Sequence, residues 1–365
     1  MRSPPGSGDG ESDKICFGMM ATHRTLAQGD DTAAGLENGT GCEDATRVPP
    51  SWGDTESQRL RIAPPLPAVL ALHARRGMKP APFEYQSPET FREAIDLLAS
   101  DPEATVIAGG QSLMPLLALR LATPSKLIDL RRVPGLDSIA IGDSGVRLGA
   151  RVRWCDIEGD RRLEIAHPLL REAIAHVAHY QIRNRGTVGG SLAHADPAAE
   201  LPGIAVTCDA EITLVDASGT RITRAGEFFT GPLSTVRQTD EIITELHLPF
   251  WPRDRHWAFR EFAQRKGDFA LAGIALFYDE DQDGRVRNAH VGVIGACDRP
   301  QRLSEVEALL NLRSVDEALI RKAAETAART VDPPEDLHAP TAYRRALVAT
   351  LVERGLRSAA RHRSG

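Results

Sequence analysis

The stretch that most constrains this chain spans residues 180–202, Tyr-Gln-Ile-Arg-Asn-Arg-Gly-Thr-Val-Gly-Gly-Ser-Leu-Ala-His-Ala-Asp-Pro-Ala-Ala-Glu-Leu-Pro. A basic segment carrying Arg183 and Arg185 leads into Thr187-Val188-Gly189-Gly190-Ser191. A short apolar step later, Asp196-Pro197 opens an alanine-rich run that reads as a helix capped by Asp196. Paired glycines let a main chain approach an anionic ligand with no Cβ in the way, and successive N–H groups can converge on phosphate oxygens. Taken alone, such a pair reads first as a tight turn between packed elements.

A second stretch changes the balance. Residues 105–108 read as a short buried strand that runs into Gly109-Gly110-Gln111-Ser112-Leu113, and an apolar helix is expected at 116–121. Two glycine loops in one globular region point to one extended ligand with several anionic or polar groups, such as a dinucleotide. Neither loop has the G-x-G-x-x-G spacing of a doubly wound dinucleotide fold, which disfavours that architecture. Gln111 and Ser112 can bond a phosphate or cap the following helix, and the paired loop downstream favours the first role. Arg183 and Arg185 either neutralise a pyrophosphate or serve a salt bridge or subunit contact.

Ala-Gly-Gly-Gln-Ser-Leu at 108–113, the motif at 181–202 and Arg-Lys-Gly-Asp-Phe-Ala at 265–270 resemble, in the same order, the FAD-binding medium subunits of molybdenum hydroxylases, most of all those of the carbon monoxide dehydrogenases. The likeness runs from about Met78 nearly to the end of the chain. It implies an α/β (α+β) fold, with a two-subdomain PCMH-type FAD-binding domain at 78–251. A C-terminal domain at 252–365 follows, a three-stranded antiparallel sheet packed with helices. It implies non-covalent FAD held by Ala108, Gly109, Gly110, Gln111, Ser112 and Leu113 from the first loop, and by Thr187, Val188, Gly189, Gly190 and Ser191 from the second. Asp196 is expected on a sugar or ribityl hydroxyl. Lys266, Asp268 and Phe269 reach the flavin from the C-terminal domain, Lys266 bringing positive charge. Phe269 stands where relatives often carry an aromatic hydroxyl.

The resemblance places no catalytic residue on this chain beyond the flavin. Electrons are expected to arrive from iron–sulfur clusters on a small partner subunit, fed by molybdopterin on a large one, and to leave to an external acceptor. A dimer of heterotrimers is implied. Two readings compete: a stand-alone FAD-dependent oxidase of the same superfamily, and a scaffold subunit that has lost FAD. The short C-terminal part and the lack of a His or Cys motif for covalent flavin speak against the first, and the intact glycines against the second.

Composition agrees with an enzyme subunit of two domains. A formal net charge of −6 over 365 residues calls for neither nucleic acid nor an anionic membrane, and no stretch is long and apolar enough to span a bilayer. Cys16, Cys42, Cys155, Cys208 and Cys297 are scattered singly, which argues against a disulfide framework or an iron–sulfur cluster on this chain and fits a cytoplasmic protein. Residues 1–77 mix Gly, Ser, Pro and charged residues without periodicity and read as a disordered extension or a start codon placed too early.

Between 83 and 250 the pattern gives a helix capped by Ser87 with Phe91, Ala94, Ile95 and Leu98 on one face, a strand at 126–130 and a hairpin at 138–150. A helix at 169–178 and strands at 211–215 and 242–248 follow. Beyond Trp251, three long segments at 257–264, 270–278 and 286–296 read as an antiparallel sheet, and helices follow at 304–310, 315–329 and 341–360. Residues 279–284 mimic the start of a calcium loop, but His290 occupies its twelfth position, so a solvated hairpin turn is expected. His176, His179 and His194 lack metal-ligand spacing.

Overall fold

Short parallel strands lie next to the first glycine loop in the computed structural model, which describes residues 79–361. The extension read at 1–77 lies outside the described residues. β1 (Glu84–Gln86), β2 (Ala104–Ile107) and β3 (Lys126–Asp129) form a sheet in the order β1-β3-β2. Helix α1 (Phe91–Ala99) buries Ala94, Ile95 and Leu98 against it, as the spacing predicts. Its cap is Thr90, whose hydroxyl accepts the Glu93 N–H, and not Ser87; the extended residues before it delay the helix by one turn. The helix behind the first loop, α2 (Leu113–Ala118), begins three residues earlier than its leucines suggest, directly after the glycine turn.

The second subdomain is antiparallel. β4 (Ile139–Gly142), β5 (Gly145–Gly149), β6 (Glu211–Val215), β7 (Thr220–Arg224) and β10 (Ile242–Pro249) form a five-stranded sheet in the order β4-β5-β10-β6-β7, and β8 (Phe229–Gly231) pairs with β9 (Ser234–Thr235). Helices α3 (Trp154–Gly159), α4 (Leu163–Ala166), α5 (Pro168–Ile174), α6 (Tyr180–Arg183), α7 (Val188–His194) and α8 (Glu200–Thr207) fill the long connection after β5, and α9 (Ala225–Phe228) follows β7. Leu148, Leu169, Ile174, Leu192, Ile204 and Leu246, each with no more than traces of exposed surface, join them in one core.

In the C-terminal part, β11 (His256–Ala263), β12 (Ala270–Glu280) and β13 (Val286–Ile294) pair antiparallel, joined by a short fourth strand, β14 (Gln301–Arg302). The expected three-stranded sheet thus has a fourth, two-residue edge. Residues 270–278 of β12 are all buried, because α8 covers one face of the sheet while α10 (Ser304–Leu310), α11 (Glu317–Thr330) and α12 (Thr341–Arg361) cover the other. Two-sided burial replaces polar alternation with small residues such as Ala270, Ala272 and Ala275. Arg344, 4% exposed on α12, donates to the carbonyls of Leu271 (2.7 Å) and Gly295 (2.8 Å) and pairs with Asp336 (2.7 Å). It clamps the last helix to the sheet edge nearest the cavity described below. The 279–284 segment is a hairpin turn in which Asp281 accepts the N–H groups of Asp283 and Arg285.

Candidate functional site

Both glycine stretches converge on one cavity of about 800 Å³, and the turn between β11 and β12 closes it from the C-terminal side. Ala108, Gly109, Gly110, Gln111, Ser112 and Leu113 line it from the first loop, and Thr187, Gly189, Gly190 and Ser191 from the second. Asp196, Asp268 and Phe269 complete the expected set, with Phe269 68% exposed at the mouth. Two expected residues are not in the wall. Val188 is fully buried in the core, where a helix turn points it away from the space its glycine neighbours open. Lys266 is exposed outside the lining, because the turn folds back at Gly267 (φ +87°) and presents Gly267, Asp268 and Phe269 instead.

The two stretches contribute differently. The first is a true loop: Gly110 has φ +72°, a left-handed conformation that favours glycine. Among the described residues no backbone carbonyl takes the N–H of Gly109, Gly110, Gln111 or Ser112. Gln111 braces the loop by donating to the Gly109 carbonyl at 3.1 Å, and the Ser112 hydroxyl makes no cap hydrogen bond, so it remains available to a ligand.

The second stretch is the first turn of α7, not a loop. Thr187 caps it by accepting the Gly190 N–H at 3.2 Å, while the N–H groups of Val188 and Gly189 go to the carbonyls of Val152 (3.0 Å) and Ala150 (2.8 Å). These amides are therefore committed inside the protein. What the second stretch offers is room. A Cβ on Gly190 would meet only the Thr187 hydroxyl, at 2.9 Å, whereas one on Gly189 would lie 2.7 Å from the Ala150 side chain.

Asp196 does not cap a helix. Its carboxylate accepts the Ala198 N–H at 2.8 Å in a turn through Pro197 and Ala198, and the extended backbone at Ala199 delays α8 until Glu200. Arg183 is structural: it pairs with Glu158 at 2.9 Å and donates to the carbonyls of Val177 and Ala178, each at 3.0 Å. Arg185 is exposed and borders a neighbouring cavity of about 490 Å³, together with Tyr85, Asp129 and Arg131.

Three wall residues escape sequence reasoning. Arg237 is the one Lys or Arg in the lining among the described residues, fixed by donating to the carbonyls of Gln238 and Glu241, both at 2.8 Å; burial pulls its pKa down. Glu200 is 7% exposed, and burial pushes its carboxyl up to about 7 against the help of its own N–H. Trp154, 4% exposed, forms apolar wall. Arg237 and Trp154 sit in no recognisable motif; Glu200, in the Glu-Leu-Pro that ends the central stretch, was within reach.

The wall chemistry fits FAD. Unengaged amides on the first loop suit phosphate oxygens, the space over Gly190 would be lost to any side chain, and Val106, Ile107, Leu116 and Trp154 give apolar surface for ring systems. Comparison with known proteins leads to the same class. Residues 81–251 match the family described as the FAD binding domain in molybdopterin dehydrogenase, and residues 257–359 the CO dehydrogenase flavoprotein C-terminal domain. The chain belongs to the FAD-binding medium subunits of the molybdenum hydroxylase family.

Among its relatives is the nicotine 6-hydroxylase medium subunit of Paenarthrobacter nicotinovorans, 37% identical over 76% of this chain and 97% of that one. The carbon monoxide dehydrogenase medium chain of Hydrogenophaga pseudoflava is 31% identical over 77% and 98%. Among solved structures, quinoline 2-oxidoreductase from Pseudomonas putida 86 superposes with a TM-score of 0.74 at 36% identity, covering 77% of this chain and 98% of that one. The relatives thus match almost end to end, while part of this chain lies beyond them.

Proposed function

We propose that this chain is the electron-transferring subunit of a heteromeric molybdenum hydroxylase, holding FAD in the cavity between its glycine stretches. The observation that carries the reading is the pairing of unengaged amides at Gly109, Gly110, Gln111 and Ser112 with the room left at Gly190 in the wall of the same cavity. The first loop donates hydrogen bonds to the diphosphate, and Arg237 supplies the countercharge. Asp196, with one carboxylate oxygen committed to its turn, accepts from a hydroxyl of the sugar or ribityl chain. Phe269 covers the mouth with an apolar ring that can make no hydrogen bond. Bound FAD supplies the redox chemistry, and the protein supplies binding, orientation and exclusion of water.

Among the described residues no group of His, Cys, Asp or Glu is arranged to hold a metal, and Cys155, Cys208 and Cys297 are unpaired, as in a reducing cytoplasm. The names of the relatives, medium subunits and medium chains, support an assembly with a small iron–sulfur and a large molybdopterin subunit, and we extend this to a dimer of heterotrimers. The test compares the chain alone with the assembled complex. The complex should reduce its flavin with substrate and turn over, and the chain alone should do neither. Substrate-driven flavin reduction by the isolated chain would overturn the reading in favour of a stand-alone oxidase.

A further inference from the structure

A carboxyl of β11 stands on the apolar face of the C-terminal sheet without a partner. Glu261 lies opposite Gly273 on β12, which lies opposite Ile294 on β13, so the three form one row across the sheet. This is the face that carries Phe259, Phe277 and Ile294 into the core shared with the FAD-binding part. A Cβ on Gly273 would lie 3.6 Å from the Glu261 side chain and 3.3 Å from Ile294, and Ile294 in turn fills the space over Gly203, one turn along α8 from Glu200. Glu261 and Glu200 thus face each other across the junction of the two domains, and Glu200 opens onto the dinucleotide cavity. The Oε2 atom of Glu261 is buried with no hydrogen-bond partner, and no other side chain bonds Glu200.

Among the described residues no cation pairs with either carboxyl. The charged and titratable groups on the surrounding elements are Asp196 and His194 before α8, His176 and His179 after α5, Arg260 on β11, Lys266 and Asp268 in the turn that follows, and Arg237 and Glu241 in the cavity wall. Asp196 adds a further negative charge beside Glu200. Arg260 is turned to the Phe259 carbonyl (2.8 Å) and the Ser358 hydroxyl (2.6 Å), and His176 is placed against Phe259 and Glu172. Two carboxyls in such a place cannot both ionise near neutrality, because each adds like charge where water is scarce.

The geometry points to Glu200, in the cavity wall, and Glu261, behind it on β11, as a coupled pair of buried carboxyls that do not both ionise at neutral pH and that make retention of the anionic dinucleotide depend on pH. Burial first, and the charge of Glu200 second, push Glu261 up to about 8, above the value of about 7 for Glu200. The pair gains negative charge as the pH rises through this range, and that charge repels the diphosphate of FAD.

Two readouts test this on the full chain. Infrared titration of the protein with isotope-labelled glutamate should show a protonated-carboxyl band at pH 7 that disappears by pH 9. In Glu261→Gln the upper step should be lost and only the lower one, that of Glu200, should remain. Flavin release, followed by fluorescence, should show wild-type affinity for FAD falling about tenfold between pH 7 and 9, while Glu261→Gln falls by less and the double Glu200→Gln/Glu261→Gln variant stays flat. Absence of the band from the wild type at pH 7, or an equal fall in wild type and Glu261→Gln, would overturn the pair. If the variants fail to fold, the wild-type titration decides alone. The second readout rests on the FAD reading; a chain that carries no flavin but shows the band would defeat that reading and leave the coupled pair standing.

Discussion

Replacing Gly190 with valine separates binding from folding. The glycine is exposed to the cavity, and a side chain there touches only the Thr187 hydroxyl that caps α7. Crowding that cap costs about 1 kcal/mol, and a better helix former than glycine returns part of it, about 0.5 kcal/mol. The variant should therefore fold with its melting temperature within a few degrees of wild type. The isopropyl group occupies space that the dinucleotide needs. Displacing the diphosphate from two charge-assisted hydrogen bonds, each about 1.5–3 kcal/mol, weakens FAD by about 3–6 kcal/mol, or roughly 10²–10⁴-fold. The assay is flavin absorbance per folded chain, with circular dichroism and a melt as controls. Gly189→Ala is the opposite case: its methyl would run into Ala150, an overpacking worth about 1–3 kcal/mol, so it should lower stability first. A folded Gly190→Val protein with full flavin content would refute the reasoning.

Three further outcomes follow from the wall and the core. Arg237→Met should weaken FAD about tenfold or more by removing the cation of the lining, while Lys266→Met should change affinity less than about twofold; equal effects in equilibrium binding would place the countercharge elsewhere. His167 is fully buried beside Trp251, accepts the Leu170 N–H through Nδ1, and has its pKa pushed by burial from near 6.5 down to about 3. The unfolded chain takes up this proton below about pH 6.5 and the folded one does not, so stability present above that pH drains away as pH falls towards 3, by up to about 1.4 kcal/mol per unit. His167→Asn keeps an N-cap acceptor without the titration, and denaturation midpoints should then fall less steeply with acid; parallel slopes would exonerate His167. Arg344→Met leaves two carbonyls and Asp336 without their donor and should destabilise the chain by about 3 kcal/mol in denaturant titrations, whereas a change below about 0.5 kcal/mol would show that the clamp is replaced by solvent.

The sequence made the glycine stretches and the long C-terminal segments legible for a physical reason: each is a local pattern. Gly109-Gly110 after a buried strand needs a turn wherever it occurs, and β11, β12 and β13 fall within a few residues of their expected spans. What was illegible depends on distant partners. Whether the amides at Val188 and Gly189 are free is decided by the carbonyls of Val152 and Ala150, which come back beside them only in the folded chain. Asp196 carries every local mark of an N-cap, yet the turn at Pro197 and Ala198 and the extended backbone at Ala199 defer the helix to Glu200. Lys266 and Phe269 are three residues apart in a single turn, and the left-handed Gly267 between them decides which one reaches the cavity. Arg237 and Glu261 belong to no motif, because their environment is assembled from separate strands and from both domains.

The account turns on this chain carrying the flavin of a larger enzyme. Cofactor analysis of the chain, affinity-purified from its own cells with its partners and again after separation from them, tests that most directly. One FAD per chain should remain with the separated subunit, and iron and molybdenum should appear only in the intact complex. A separated chain without FAD, or one that itself holds the iron or the molybdenum, would contradict it.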